Sequence, residues 1–551
     1  MMQFKTFGFP KCLLLPLLLL GTLSLTLPTA CKWLGKKDTP EANDLTKKNK
    51  PGTAMPALPT NGDYNETWAV IDSLEREGLY KSALEQTEAL YTRAKRDNNA
   101  GQAIKTLIYK GKYAVLLGED GLVNAITTFE EAEKTAQMPE KAIIQSLLGQ
   151  LYSIYVEDQG WTLSDRTPIP DGEGGDIKTW SAEQIEKKSL DWYLSSVQSP
   201  TLREVPLEFI KDITIPGKND TIGLPLRPTL YDFLAHRALI HFAAGRSFIT
   251  EPVYKFEVDQ EAAFAPVETF IKTPLETRDS SSGQWRALRL FQEILAWRLA
   301  KKDQVAALID VDLLRLEFVR NQSVLVNKDA LYEKALINLH ETYKNLPSAA
   351  EIVAKLAQMW YNEEKPENTS LNNPRKRALE WCRQAVSAHP GTLGANACQA
   401  MIREIEKVSL LSQEMEEAVL PNQPNLVKME YQNLSKVYYK IVRVNINQDK
   451  WPYISWDERV KYINGLGVVF QSASDIADPG DYYTHSTEIS IEPVPLGSYV
   501  LAISENPDFD SKKGTVGLMF FQSTQLAFTS FQENTTLTYI VVDRETGAPK
   551  P

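Results

Sequence analysis

Five histidines, His236, His241, His340, His389 and His485, are scattered along the chain, and two cysteines, Cys382 and Cys398, lie in helical sequence. These are the side chains best suited to metal or nucleophilic chemistry, and their spacing does not gather them. His236 and His241 stand five positions apart, whereas a helical metal pair needs four to bring both imidazoles to one face. The chain carries no His-Glu-x-x-His helix, no phosphate-cradling glycine loop and no Gly-x-Ser-x-Gly elbow. Glu130, Glu131 and Glu133 could be weighed as a carboxylate site, but a charge run on a helix usually keeps its outer face wet. Asp171 to Asp176 could be weighed as a calcium loop, but Asp-Gly-Glu-Gly-Gly-Asp lacks the regular oxygen ligands and closing glutamate. The expectation is therefore no catalytic residue, no metal ligand, no cofactor and no enzyme.

The elements that would position such groups change type along the chain. From Glu66 to about Ser409 apolar residues return every three or four positions, with Gly and Pro mainly between the runs, which predicts helices. Ala83 and Ala125, each after a glycine-containing turn, fit a tetratricopeptide-like pattern, at a spacing longer than its usual period of about 34 residues. Leu356, Ala357 and Trp360, then Ala378, Leu379, Cys382, Ala385 and Pro390, repeat the pattern, with Glu364 to Pro374 as a polar insertion. Gly160 to Gly175 and Ile213 to Pro228 are expected as surface connections. After Leu420 the period becomes that of strands, at Leu426–Tyr431, Val437–Val444, Thr487–Glu492, Ser498–Ser504, Thr515–Phe521, Gln525–Phe531 and Leu537–Val542. The fold class predicted is α then β: an irregular tetratricopeptide-like α-solenoid followed by an antiparallel β-sandwich.

A length of 551 residues with 43% hydrophobic and 24% charged content is that of folded protein, and a net charge of -11 leaves no basic surface for nucleic acid. Lys5 and Lys11 precede an apolar run, Cys12 to Leu25, that is short for a permanent span and reads as an export signal. It ends in Leu27-Pro28-Thr29-Ala30-Cys31, which resembles a bacterial lipoprotein cleavage box, with Cys31 as the lipidated residue. The polar stretch Lys32 to Pro59 would serve as a tether. Cys382 and Cys398 are then left for the mature fold, either bonded to each other in an oxidising compartment or buried unpaired.

Three stretches resemble the N-terminal portion of bacterial, Bacteroidetes-type α2-macroglobulin family lipoproteins. They are Trp68 to Ile126, Arg227 to Ala238, and the β-region, where Leu496 to Leu501 looks like a closing macroglobulin strand and Val542-Asp543-Arg544-Glu545-Thr546-Gly547-Ala548-Pro549 like the opening of the next domain. The resemblance divides the chain into a signal peptide at 1–30, a tether at 31–64, tetratricopeptide-like repeats at 65–160, a helical region with long loops at 161–345, further repeats at 346–420, a macroglobulin-like sandwich at 421–532 and the start of a second such domain at 533–551. It implies a chain truncated or split from a longer inhibitor, because no bait segment and no Cys-Gly-Glu-Gln thioester motif is present. The function implied is a scaffold, lipid-anchored to a bacterial envelope membrane and facing periplasm or cell surface, that positions protease-trapping domains. The implied partners are the membrane, proteases through the full architecture, and a protein on the helical repeats. The alternative is a SusD-like glycan- or nutrient-binding lipoprotein, for which Trp161, Trp180 and Trp192 would form the aromatic platform. Helices persisting past Tyr431, or a single mixed globule with no seam near Leu420, would count against the family.

Overall fold

The computed structural model describes residues 64–163, 166, 175–214, 225–244, 252–369, 371–445 and 448–550. The expected signal peptide, the lipidation residue Cys31, the tether up to residue 63 and Asp171 to Gly174 lie outside the described residues. Within them the order is α then β, and the chain divides into two compact units, one ending at Ala335 and one beginning at Leu336.

In the first unit, α1 (Tyr64–Arg76), α2 (Tyr80–Arg96), α3 (Ala100–Leu117), α4 (Gly121–Thr135) and α5 (Glu140–Leu163) each pack chiefly on the next, the nearest-neighbour stacking of repeat proteins. The helical spacing of Trp68 and Ile71 sets both against Ala83 and Leu90 of α2 and Tyr113 of α3. Ala83 and Ala125 are fully buried, as the small residues of paired helices should be. α5 runs on to Leu163, through part of the expected loop.

Next come α6 (Ala182–Ser195), α7 (Leu230–Ala243), α8 (Val267–Phe270), α9 (Gly283–Ala300), α10 (Val305–Gln322) and α11 (Lys328–Tyr343), the last containing the division between units. Capping boxes start α6, through Ser181 and Gln184, and α7, through Thr229 and Asp232.

The second unit continues with α12 (Ala349–Tyr361), α13 (Pro374–Ala388) and α14 (Leu393–Ile405), mutually packed around Leu356, Trp360, Leu379, Cys382 and Cys398. A Cβ at Gly394 would stand 2.2 Å from the Ala350 carbonyl carbon, so glycine is what lets α14 lie against α12.

The strands are β1 (Ser409–Glu414), β2 (Ala418–Val419), β3 (Asn425–Gln432), β4 (Lys436–Arg443), β5 (Val468–Asp475), β6 (His485–Ile491), β7 (Gly497–Ser504), β8 (Val516–Ser523), β9 (Leu526–Glu533) and β10 (Thr536–Asp543). A helix, α15 (Trp456–Asn464), lies between β4 and β5. One sheet runs β1-β3-β6, a second β2-β8-β7-β4-β5, and β9 and β10 form a separate hairpin. All pairs are antiparallel except the short β2–β8 pair. Val427, Met429 and Tyr431 from the first sheet meet Val437, Tyr439, Ile441, Leu501, Ile503 and Phe521 from the second in one core, which makes the pair a sandwich. The alternate residues Val442, Val500, Ala502, Val516 and Phe520 point to the other face of the five-stranded sheet, where Trp451, Ile463 of α15 and Phe509 cover them.

Three expectations need correction. Strands begin at Ser409, ahead of the break expected after Leu420, because β1 pairs with β3 and β2 with β8. The seam between compact units falls at 335/336 and not near Leu420, so the α12–α14 helices belong with the sandwich. The region past Tyr431 is not wholly β, since α15 is needed to cover the central sheet's second apolar face.

Candidate functional site

α7 and the turn that leads into it carry buried polar side chains on two sides. Toward α9 and α10, Arg227 makes a two-pronged ion pair with Asp310, Nε to Oδ2 at 3.0 Å and Nη2 to Oδ1 at 3.2 Å. Asp232, already the capping partner of Thr229, also pairs with the fully buried Arg298 of α9. His236 lies between these pairs. Its Nδ1 is 2.6 Å from the Asp232 carbonyl oxygen, which makes Nδ1 the protonated nitrogen, and its Nε2 is buried without a hydrogen bond, 3.9 Å from Asp310 Oδ2. Burial, reinforced by the Arg227 charge, pushes the imidazole down to about 4 against the opposing pull of Asp310, so His236 is neutral at pH 7. Nearby, Arg237 reaches Ser146 at 3.0 Å and Gln150 at 2.8 Å on α5. The stretch from Arg227 to Ala238 is thus a buried polar node that locks four helices.

On the opposite side of α7, His241 Nε2 lies 3.0 Å from Ser189 Oγ and 3.5 Å from Glu186 Oε1, with its ring stacked on Tyr193. Serine, histidine and carboxylate make a nucleophile only when the acid and the serine use different imidazole nitrogens. Here both use Nε2, and the fully buried Ser189 hydroxyl donates to the Gly149 carbonyl at 2.7 Å. The trio acts as a helix-to-helix tie. Of the three, Glu186 and His241 line a cavity of about 380 Å³, whose walls also include Glu183, Lys187, Phe242, Phe256 and Asp279, within the range of small-ligand sites.

The other residues singled out by sequence are also held structurally. Glu130 accepts from the Tyr152 hydroxyl at 2.7 Å, and Glu133 accepts from Gln145 at 2.8 Å and faces Lys141 at 3.3 Å, so these carboxylates tie α4 to α5. Glu131 is exposed. Trp180 is buried and stacked on Tyr152, which removes it from any sugar platform. Trp192 is half-buried under the Lys188 ammonium, and the Trp161 side chain lies outside the described residues. His340 packs on Trp381, and His389 lies against the Lys344 carbonyl oxygen at 3.3 Å. Among the described residues no three His, Cys, Asp or Glu side chains gather as a metal site, and no helix is long and apolar enough to cross a membrane.

One cluster was missed by sequence reasoning. Asp481 receives His485 Nε2 at 2.7 Å and Lys365 Nζ at 3.1 Å, while Asn373 donates to its carbonyl and Arg375 lies over the Tyr483 ring. Burial works to raise the Asp481 carboxyl, but the bonds from His485, the Tyr483 amide and Lys365 together hold it below its ordinary value. The polar insertion Glu364 to Pro374 is the signal that could have found it, since it supplies Lys365 and Asn373 to clamp the segment before β6.

The β9–β10 hairpin exposes a cluster of large apolar side chains in the second unit. Phe528 and Val541, with Tyr539 and Leu537, occupy one face, while Phe531 and Ile540 occupy the other. All six are exposed. The hairpin is fastened at its base, where Arg544 donates to the Ala418 carbonyl and pairs with Glu416. The bend expected at Asp543–Pro549 forms: Asp543 Oδ1 accepts from the Glu545 and Thr546 amides, Gly547 sits at φ +70, and Pro549 returns opposite Val542. The Thr546 amide, then Lys550, hold the Asp543 carboxyl down to about 2.

No protein-family model matches this chain, and no curated protein does. Among solved structures that match is the crystal structure of the S-layer protein rSbsC(31-844), at 11% identity and a TM-score of 0.15, covering 78% of this chain. The chain spans about half, 51%, of that structure. A likeness of that grade carries no argument about fold or function.

Proposed function

We propose that this chain is the lipid-anchored, N-terminal scaffold of an α2-macroglobulin-like protease inhibitor, holding protease-trapping β-domains close to a bacterial envelope membrane. A division between units at 335/336, not near Leu420, counts against this lineage, and the observation that supports it best is the β9–β10 hairpin. A two-stranded hairpin alone in water is marginal, and this one presents apolar side chains on both faces, as strands do when they belong inside a further β-layer. The acidic turn and Thr-Gly bend that follow β10 have the form expected where one macroglobulin-type domain opens. The stacked helices supply the spacer, and several of their polar side chains fasten one helix to another. In this reading Cys31 carries the lipid, and the helical array binds or orients protein partners.

Metabolic labelling with an alkyne fatty acid should mark the wild-type protein and not Cys31→Ala, which should move from the membrane pellet to the soluble fraction. The purified chain should leave trypsin and chymotrypsin activity unchanged. Inhibition stoichiometric with this chain, or a Cys31→Ala protein that keeps its label, would overturn the reading.

A further inference from the structure

Cys382 and Cys398 are the nucleophilic side chains that the proposed scaffold role leaves unused. They occupy consecutive helices that turn back through His389 to Thr392. Cys382 lies six positions before the end of α13 and Cys398 five after the start of α14. At a rise of about 1.5 Å per residue, the two stand at nearly the same height in an antiparallel pair. Both side chains are fully buried and face one another, with the thiols in hydrogen-bonding reach of each other. Cys398 Sγ also lies 3.8 Å from the Ala350 carbonyl oxygen, so the pair sits where α12, α13 and α14 converge. No third metal-binding side chain joins them among the described residues.

We infer that Cys382 and Cys398 are a built-in redox staple: two thiols that close to a disulfide across the α13–α14 hairpin when the chain folds in a disulfide-oxidising medium. The thiolate of either cysteine attacks one sulfur of an external disulfide such as oxidised glutathione, forming a mixed disulfide and expelling one glutathione thiolate. The other cysteine then loses its proton and displaces the second glutathione as the bond between Cys382 Sγ and Cys398 Sγ forms. Two protein thiols are oxidised, two protons are released and one external disulfide is reduced to two thiols. Both sulfurs are buried in the closed hairpin, so the exchange belongs to the stage of folding before α13 and α14 dock. The product fixes the helical hairpin whose end leads into β1, where the Ile405 carbonyl accepts from Gln432 and Asn433.

The full chain, refolded with oxidised and reduced glutathione, is blocked with iodoacetamide in denaturant and cut with trypsin, which cleaves after Arg383 between the two cysteines. The expected product is a crosslinked pair, residues 378–383 joined to 384–403, that separates on reduction. Reducing the folded protein should lower Tm by about 5–10 °C, from a closed loop of about 17 residues, and the Cys382→Ala/Cys398→Ala protein should show no such drop. Both cysteines recovered alkylated without reduction, or either joined to Cys12 or Cys31, would overturn the inference. The peptide map is read on the wild-type chain, so it decides the matter even if the double variant does not fold.

Discussion

His236 shows how much of the chemistry-bearing inventory is used for architecture. Its Nε2 has no hydrogen-bond partner and faces Asp310 across 3.9 Å, with Arg227 on the same carboxylate and the Asp232–Arg298 pair beside it. A protonated imidazole there would have to be desolvated next to a guanidinium, and that is why its folded value falls to about 4, below the ordinary value of 6.5. A histidine depressed on folding contributes stability that is fully present above its unfolded value and is lost as pH falls toward the folded one. The contribution should amount to about 3 kcal/mol, fading between pH 6.5 and 4. Thermal melts over that range should show a steeper loss for the wild type than for His236→Gln, which keeps a donor for the Asp232 carbonyl. Parallel curves for the two proteins would remove His236 as the cause. The sequence marked Arg227 to Ala238 only by its resemblance and not as a polar node, because Asp310 and Arg298 come from α10 and α9, far along the chain. Spacing within one helix carries no information about such partners. The same applies to Asp481, whose lysine and histidine come from an insertion between helices and from the start of β6.

At the scale of elements, close approach decides where a small residue is obligatory. α14 meets α12 at Gly394, where an added Cβ would fall 2.2 Å from the Ala350 carbonyl carbon, whereas the same change at Gly467 meets nothing within 4 Å. Gly394→Ala should therefore destabilise the second unit by about 1–3 kcal/mol through overpacking, and Gly467→Ala should stay within about 0.5 kcal/mol of wild type. Urea unfolding midpoints test this, and equal midpoints for the two variants would refute the packing argument. The strands β3, β4, β6, β7, β8, β9 and β10 were readable because their β-branched and aromatic runs sit between turn residues. β1 was not, since Ser409 to Glu414 follows α14 with no glycine or proline between them. β2 is two residues long, and β5 ends in Gln-Ser-Ala-Ser-Asp, a composition that belongs to a sheet edge as readily as to a loop. α15 was lost for a different reason. It is a nine-residue element inside β sequence, started by the Ser455–Glu458 capping box and required only because the central sheet is apolar on both faces.

At the scale of the whole molecule, the second unit joins a sandwich with a dense two-sheet core to a hairpin that shares none of it. β7 is buried along most of its length and bonded to β4 and β8, while most residues of β9 and β10 are exposed and none is fully buried, and the two pair only with each other over most of their length. Free energy of local opening follows buried contacts, so these two parts of one unit should open independently. Hydrogen exchange followed by mass spectrometry should show β9–β10 amides exchanging at least about 1,000-fold faster than those of β4 and β7, a gap of about 4 kcal/mol. Equal protection would mean that the hairpin is already covered, by a second copy of the chain or by its own continuation of β pairing. That outcome would remove the hairpin as the open part of a further β-layer. A protection that rises only when a β-domain partner is added would instead place the contact on Phe528, Tyr539 and their neighbours, because those side chains form the face with most apolar area to lose from water.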